Sequence, residues 1–344
     1  MASAGANNEH SPVSTPSLSG YSASSEGSLG SADEGDFSGM VVDPLLPSEA
    51  VAFGSVSKMW RGRKIIEDAL SLRPSFCVWA DGSQMHFFAV FDGHGGHEVA
   101  ALCRDQMHVI LAEELAVAAA AYREAHQQED QEAEFRAWEA ALKRSFERAD
   151  ALGALESGGT IMGSTAVVAL LVRDFILVAN CGDSRAVLCR AGGAIPLSQD
   201  HKLDRPDERA RIAASGDTVF YYDGQLRVRG ILAMSRALGH RLLKPAVICD
   251  PEITITTRSE EDDCLILASD GLWDAVSNQV ACDIAWECLE DMSNEAAQYG
   301  GSALVGPDED EWCVDAAIVL TRLALARGSR DDISVVVVDL KMMG

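Results

Sequence analysis

The sequence predicts an α+β fold, a sandwich of packed antiparallel sheets flanked by helices in α-β-β-α layering. Three observations predict it. Short apolar runs recur between turn signals, and two of the connections, Arg173-Asp174 and Ala191-Gly192-Gly193, read as hairpin turns. Strands joined so tightly are antiparallel, because a parallel pair needs a long crossover. Helical patterns fall in blocks between the strands, which places helices on the outside of packed sheets. With 47% hydrophobic residues in 344, a large core is available.

Residues 1 to about 50 are rich in Ser, Gly and Ala and poor in large apolar side chains. Such a segment cannot offset its chain entropy by burial and is expected to be a disordered tail. The folded domain is expected over 51–344, with order beginning between Val51 and Ser57. Strands are predicted over Phe76–Trp79, His86–Phe91, Thr165–Val172, Phe175–Asn180, Ala186–Cys189, Cys264–Ala268 and Ile333–Val338. Helices are predicted over Glu98–Glu114, Glu132–Leu152, Pro206–Ala214 (Pro in the first turn), Ser277–Asp291 and Trp312–Ala326 (ending before Gly328). No internal repeat is visible.

Lys and Arg total 28 against 53 Asp and Glu, a net charge of −25. A polyanionic partner gains nothing from such a surface, so neither nucleic acid nor an anionic membrane is expected. Most of the excess reads as solvated acidic faces such as Glu129-Asp130. The nine Cys include no CxxC pair, and Cys181, Cys189, Cys249 and Cys264 sit in apolar runs. Buried, reduced thiols of an intracellular protein fit that pattern better than a disulfide framework or a zinc site. No apolar stretch is long enough to predict a transmembrane helix, and the N-terminus lacks signal-peptide character. Cytosol and nucleus are the expected compartments.

The chemistry concentrates where apolar runs meet acids. Asp92-Gly93-His94-Gly95-Gly96 closes one run, Asp270 and Asp274 flank Gly271-Leu272-Trp273 after another, and Asp331 precedes the last. Carboxylates near a core are costly unless compensated. A carboxylate cluster with one His and no Cys pair suits a hard divalent cation. Each piece has an ordinary reading as well. Asp92-Gly93 is a common turn, Asp274 could cap a helix before Ala275-Val276, and Asp331 could be a turn residue. Arg63 beside Glu67 and Asp68 could hold a phosphate or form a surface ion pair. Asp183, in Asn180-Cys181-Gly182-Asp183-Ser184-Arg185, could be a ligand or a hairpin residue.

Together the pieces are specific. DGHGG (92–96), GSTAVVALL (163–171), NCGDSRAVLCR (180–190), QDHKLDRPDERARI (199–212), RVRGILAMSRALG (227–239), LILASDGLWD (265–274) and GSRDDISVVVVDLK (328–341) resemble, in order, the segments of type 2C protein phosphatases, the metal-dependent Ser/Thr phosphatases. The resemblance spans about residues 53–341. The wording is most similar to the plant group-A members that serve as abscisic acid co-receptors.

That resemblance implies a four-layer α-β-β-α sandwich with two Mn²⁺ or Mg²⁺ ions in the cleft. It implies Asp92 bridging both ions, the Gly93 carbonyl on one, and Asp270 and Asp331 on the other. Glu67 would act through water, with Asp68 behind it, and Asp183 and Asp274, with Asp270, would form a weaker third site. Arg63 would hold the substrate phosphate, water activated by the cations would attack phosphorus, and His94 would protonate the leaving oxygen. The implied partners are phosphorylated proteins, kinases among them, and an abscisic acid receptor.

Departures are equally legible. Lys64-Ile65-Ile66 replaces a more acidic stretch, Leu203 a Pro, and His240 the Asp that usually follows Ser-Arg-Ala-Leu-Gly. In Phe220-Tyr221-Tyr222-Asp223-Gly224, Tyr222 stands nearest a Trp that reaches into the hormone receptor. Those departures motivate a second reading, a weakly active module that occludes a kinase or receptor. The carboxylate chemistry alone also permits hydrolysis of another phosphoester.

Overall fold

The computed structural model describes residues 40–41, 51–125, 130–222, 224–298 and 309–341. The tail expected over 1–50 lies outside them except for Met40–Val41, a short strand paired with Ser57 and Lys58.

Two antiparallel sheets form the centre. One has the strand order Met40–Val41, Phe53–Lys58, Ile333–Asp339, Asp262–Ala268, Arg185–Arg190, Gly193–Pro196. The other runs Glu252–Thr257, Phe175–Cys181, Ala166–Val172, Gln84–Phe91, Ala69–Val78. Alternation along each central strand assigns its faces. Phe88 and Val90 pack with Leu265, Leu267, Val336 and Val338 between the sheets. Phe87, Ala89 and Phe91 point the other way, onto helices Glu98–Ala125 and Gln131–Glu156. Ile266, Val335 and Val337 likewise pack against helices Asn278–Gln298 and Glu309–Ala326. Burial on both faces explains why these strands read as continuous apolar runs. The four layers are those predicted.

The differences have local causes. The helix expected to stop at Glu114 continues to Ala125, through an Ala-rich stretch of high propensity that contains no breaker. The strand expected at Phe76 begins at Ala69. Pro74 does not interrupt it, because the strand lies at a sheet edge, where Pro is tolerated. Phe53–Lys58, Glu252–Thr257 and the hairpin Val219–Tyr222/Gln225–Val228 were not expected as strands. The two hairpin turns are found, as two-residue connections at Arg173-Asp174 and Ala191-Gly192.

The cysteine expectation is corrected at one pair. Cys189, on a central strand, is disulfide-bonded to Cys282, on the helix that packs over it, with Cα atoms 5.4 Å apart. A separation of 93 residues hid the pair. Cys181, Cys249 and Cys264 are free thiols, as expected.

A buried ionic network ties helix Pro206–Ala214 to the five-stranded sheet. Glu208 accepts from Arg236 and Arg211 at 2.7 Å each, and Arg236 also reaches Glu252. Burial raises the Glu208 pKa, but these guanidinium bonds outweigh it and hold the carboxyl well below its usual range. Removing one partner strands the other's charge. Arg236→Ala is therefore expected to cost about 3 kcal/mol in a denaturant titration; a loss under about 1 kcal/mol would contradict this account.

Candidate active site

The antiparallel registers bring the acids together. Ala69 pairs with Phe91, so the residues just outside that ladder, Asp68 and Asp92, share one edge of the five-stranded sheet. In the other sheet Ala268 pairs with Val335, so Asp270 follows one strand where Asp331 and Asp332 precede its neighbour. Asp183 lies in the link that leaves the five-stranded sheet at Cys181 and enters the six-stranded sheet at Arg185.

Electrostatics confirm a single cluster. Desolvation raises the Asp92 pKa well above the usual carboxylate value, and Asp68, Asp270, Asp183 and Asp331 each raise it further. Asp270 is raised by desolvation, then by Asp183, Asp331, Asp274 and Asp68. Burial pushes Asp68 to about 7, although hydrogen bonds from Ser334 and Ser269 oppose it. Burial takes Asp183 to about 6 against the attraction of Lys202.

Hydrogen bonds fix the walls. Asp92 donates its N–H to Thr165 Oγ1 at 3.1 Å and accepts from the Thr165 N–H at 2.9 Å. Ser269 Oγ donates to Asp68 Oδ2 at 2.9 Å and accepts from the Ser334 N–H at 3.0 Å. Arg63 donates to Glu67 and, at 2.7 Å, to Asp331. Asp332 accepts the N–H of Trp60 at 2.8 Å and of Glu67 at 2.9 Å, pinning the loop that carries Arg63. Asp274 is exposed at the rim and accepts from Lys202 at 2.9 Å.

Asp68, Asp92, Asp183, Asp270, Asp274 and Asp331 thus lie near enough to act on one another, and Arg63 joins Glu67 to Asp331 beside them. Two details differ. Asp270 opens the four-residue helix Asp270–Trp273 rather than ending a strand, and Asp274 caps that helix at its C-terminus, not a later one at its N-terminus. Thr165, Ser269, Lys202 and Asp332 were missed. The Asp-Asp doublet and the Ser before Asp270 were their only local signals.

The donors fit hard divalent cations. The set is carboxylates with backbone oxygen, and Oδ1 of both Asp183 and Asp270 is buried without a hydrogen-bond partner. A Cβ at Gly93 would collide with the Glu67 carbonyl, and one at Gly271 with the Asp332 carbonyl, so only glycine permits these close approaches. Asp207, Glu208 and Glu252 also converge, but Arg205, Arg211 and Arg236 already neutralise them.

His94 sits beside the cluster. Gly93–His94 pairs with Gly163–Ser164, which pairs with Leu238–Gly239, and this brings His240 next to His94. The two Nε2 atoms are in hydrogen-bond contact. Burial pulls the His94 pKa down to about 4 and the His240 pKa down to about 3. Leu203 is buried with Ile212 and Val228, filling a small satellite core. Ile65 and Tyr222 are exposed. Among the described residues, no helix is long and apolar enough to cross a membrane.

Known proteins resemble this chain in sequence and fold. A family model described as protein phosphatase 2C matches residues 53–333. "Probable protein phosphatase 2C 37" of Oryza sativa subsp. japonica is 48% identical, over 86% of this chain and 77% of that protein. "Protein phosphatase 2C 37" of Arabidopsis thaliana is 46% identical, over 86% of this chain and 73% of that protein. A solved serine-threonine phosphatase 2C from Toxoplasma gondii has the same fold, with a TM-score of 0.68 at 24% identity, covering 87% of this chain and 98% of that one. The chain belongs to the protein phosphatase 2C family.

Proposed function

We propose that this phosphatase hydrolyses phosphoserine and phosphothreonine in proteins with two Mn²⁺ or Mg²⁺ ions, and that a third binds more weakly. The observation that carries this is the convergence of Asp68, Asp92, Asp183, Asp270 and Asp331, each with its pKa raised, on one cleft edged by Arg63. Asp92, the Gly93 carbonyl, Asp270 and Asp331 would hold the two ions, with Glu67 acting through water and Asp68 behind it. Asp183, Asp270 and Asp274 would hold the third. The bound ions supply a lowered pKa for attacking water and positive charge for the phosphoryl oxygens.

The chain's own groups do the rest. Arg63 has five N–H donors, and those now held by Glu67 and Asp331 would turn to phosphoryl oxygens once cations take these carboxylates. His94 passes a proton to the departing Ser or Thr oxygen, whose alkoxide is otherwise a poor leaving group. Lys202 holds Asp274 in place. No cysteine is needed as a nucleophile.

The proposed biological setting is negative control of abscisic acid signalling, by dephosphorylation of a kinase activation loop in cytosol and nucleus. It rests on the group-A wording and on the relatives' similarity. Tyr222, exposed on its hairpin, would meet the hormone receptor with a flat ring and a polar tip. The test compares a phosphothreonine activation-loop peptide with a phosphodiester, each with and without hormone-loaded receptor. Turnover of the peptide, suppressed by the receptor and restored by Tyr222→Ala, is expected. Turnover of the diester alone would point to a different phosphoesterase.

A further inference from the structure

The outer strand Glu252–Thr257 carries a further inference, which rests on the phosphatase reading above for the identity of its partner. Its one neighbour in the sheet is Phe175–Cys181. Residues opposite each other in an antiparallel pair alternate between exchanging both main-chain bonds and exchanging none. Arg258 donates its N–H to the Asp174 carbonyl at 2.8 Å, one step beyond the ladder, and that bond sets the phase. Glu252, Thr254 and Thr256 therefore bond to the neighbour, while Ile253, Ile255 and Thr257 turn their N–H and C=O groups outward. Arg190 takes the Thr257 carbonyl at 2.9 Å. Among the described residues, nothing takes the outward groups of Ile253 and Ile255.

The other outer strands of the two central sheets are protected against a new neighbour. Met40–Val41 has two residues. Ala69–Val78 carries Pro74 and a break in register after Arg73. Gly193–Pro196 ends in Pro, and its Ala194 N–H goes to Gln279 at 3.3 Å. Glu252–Thr257 has no Pro, Lys or bulge.

Beside this edge runs a groove of about 870 Å³, with Glu252 and Thr254 on one wall and the stretch from Pro196 to Pro206 on the other. Ile253 and Ile255 pack away from it, toward the helices on the far face. Most charges in the groove are matched, Arg185 with Asp200 and Arg205 with Glu252. Asp204 is exposed and has no ion-pair partner among the described residues. The groove also meets the catalytic cleft. Lys202 lines it and bonds Asp274 at the cleft rim. Asn180, opposite Glu252, stands three residues before Asp183, a reach of about 10 Å at most.

We propose that Glu252–Thr257 takes up, as an added strand, the chain that flanks the phosphorylated residue of a protein substrate, with a Lys or Arg of that flank set against Asp204. Main-chain bonds to Ile253 and Ile255 supply affinity, and Asp204 supplies the preference. A second copy of the chain is a poorer occupant, because each copy carries a net charge of −25 and the two repel.

The test extends one phosphothreonine core peptide by about eight residues on one side, then on the other, with each flank made basic or acidic. A basic flank on one of the two sides is expected to raise kcat/KM about tenfold over the core, through KM. The Ile255 N–H faces outward, so Ile255→Pro removes a bond from the edge and none from the sheet. It should return the extended peptide to the rate of the core, and leave the core and 4-nitrophenyl phosphate within about twofold of wild type. N-methylation at every second flank residue should abolish the gain in one register and spare it in the other. Asp204→Lys should transfer the preference to the acidic flank. No gain from any flank, or a gain that survives both Ile255→Pro and N-methylation, would overturn the assignment. Dimerisation that Ile255→Pro abolishes, without a gain from any flank, would give the edge to a second copy instead. Fluorescence anisotropy of the labelled flank without its phosphate separates this inference from the reading beneath it. Binding that Ile255→Pro removes, with no turnover of any phosphate ester, would keep the docking edge and sink the phosphatase reading. Turnover of the core with neither binding nor gain would do the reverse.

Discussion

Asp92→Asn is expected to remove turnover and, at the same time, to raise the melting temperature of the protein in EDTA. The two effects share one cause. Asp92 sits where Asp68, Asp270, Asp183 and Asp331 all act on it, and both desolvation and their charges favour its neutral form. Without a cation to neutralise them, ionised acids in this cleft oppose folding. Asn keeps the shape and drops one charge, so the metal-free protein gains stability, about 2–4 °C for each kcal/mol relieved. The same charge is what would anchor the cations. Losing it should remove several kcal/mol of transition-state stabilisation, on the order of 10³-fold in kcat. Phosphopeptide kinetics and a thermal melt of the same preparation check both halves. Wild-type turnover in the variant would displace Asp92 from the site.

Metal removal should have the next largest effect. EDTA should abolish phosphopeptide turnover, and Mn²⁺ or Mg²⁺ should restore it while raising the melting temperature. A ligand at 100 times its Kd stabilises the folded state by about 2.7 kcal/mol. The size of that rise should depend on pH. Burial lifts Asp68 to about 7 and Asp183 to about 6, above the unfolded value of about 3.9. A raised carboxylate pKa means that the folded chain holds the proton more tightly. The stability this lends is complete below about 4 and is lost as pH rises through 6 to 7. In EDTA, the melting temperature should therefore drift down across that window. Protons compete with cations for the same oxygens, so the rise on adding metal should grow from pH 5.5 to 7.5. Equal increments at both pH values would show that these acids do not bind the ion.

Much of the fold was legible because its central strands are buried on both faces and leave unbroken runs such as His86–Phe91 and Ile333–Val338. What escaped was structure stabilised by position rather than by pattern. Glu252–Thr257 alternates Ile with polar residues and is a strand because it lies beside Phe175–Cys181. The Asp270–Trp273 turn follows Ser269, whose hydroxyl bonds Asp68 and the Ser334 N–H instead of capping it. The candidate site was legible as residue types at strand ends, since carboxylates there demand an explanation. Its supporting contacts were not, because Thr165 with Asp92 and Asp332 with Trp60 join segments 73 and 272 residues apart. His240 was visible as a departure, yet nothing local revealed that it faces His94.

The Arg63 clamp has a thermodynamic corollary. The guanidinium bonds Glu67 and Asp331, two of the carboxylates assigned to the ions. A cation that claims those oxygens competes with Arg63 for them and frees its donors for an anion. Cation and phosphate are then heterotropic partners. Whatever factor the ion adds to phosphate affinity, phosphate must return to the ion.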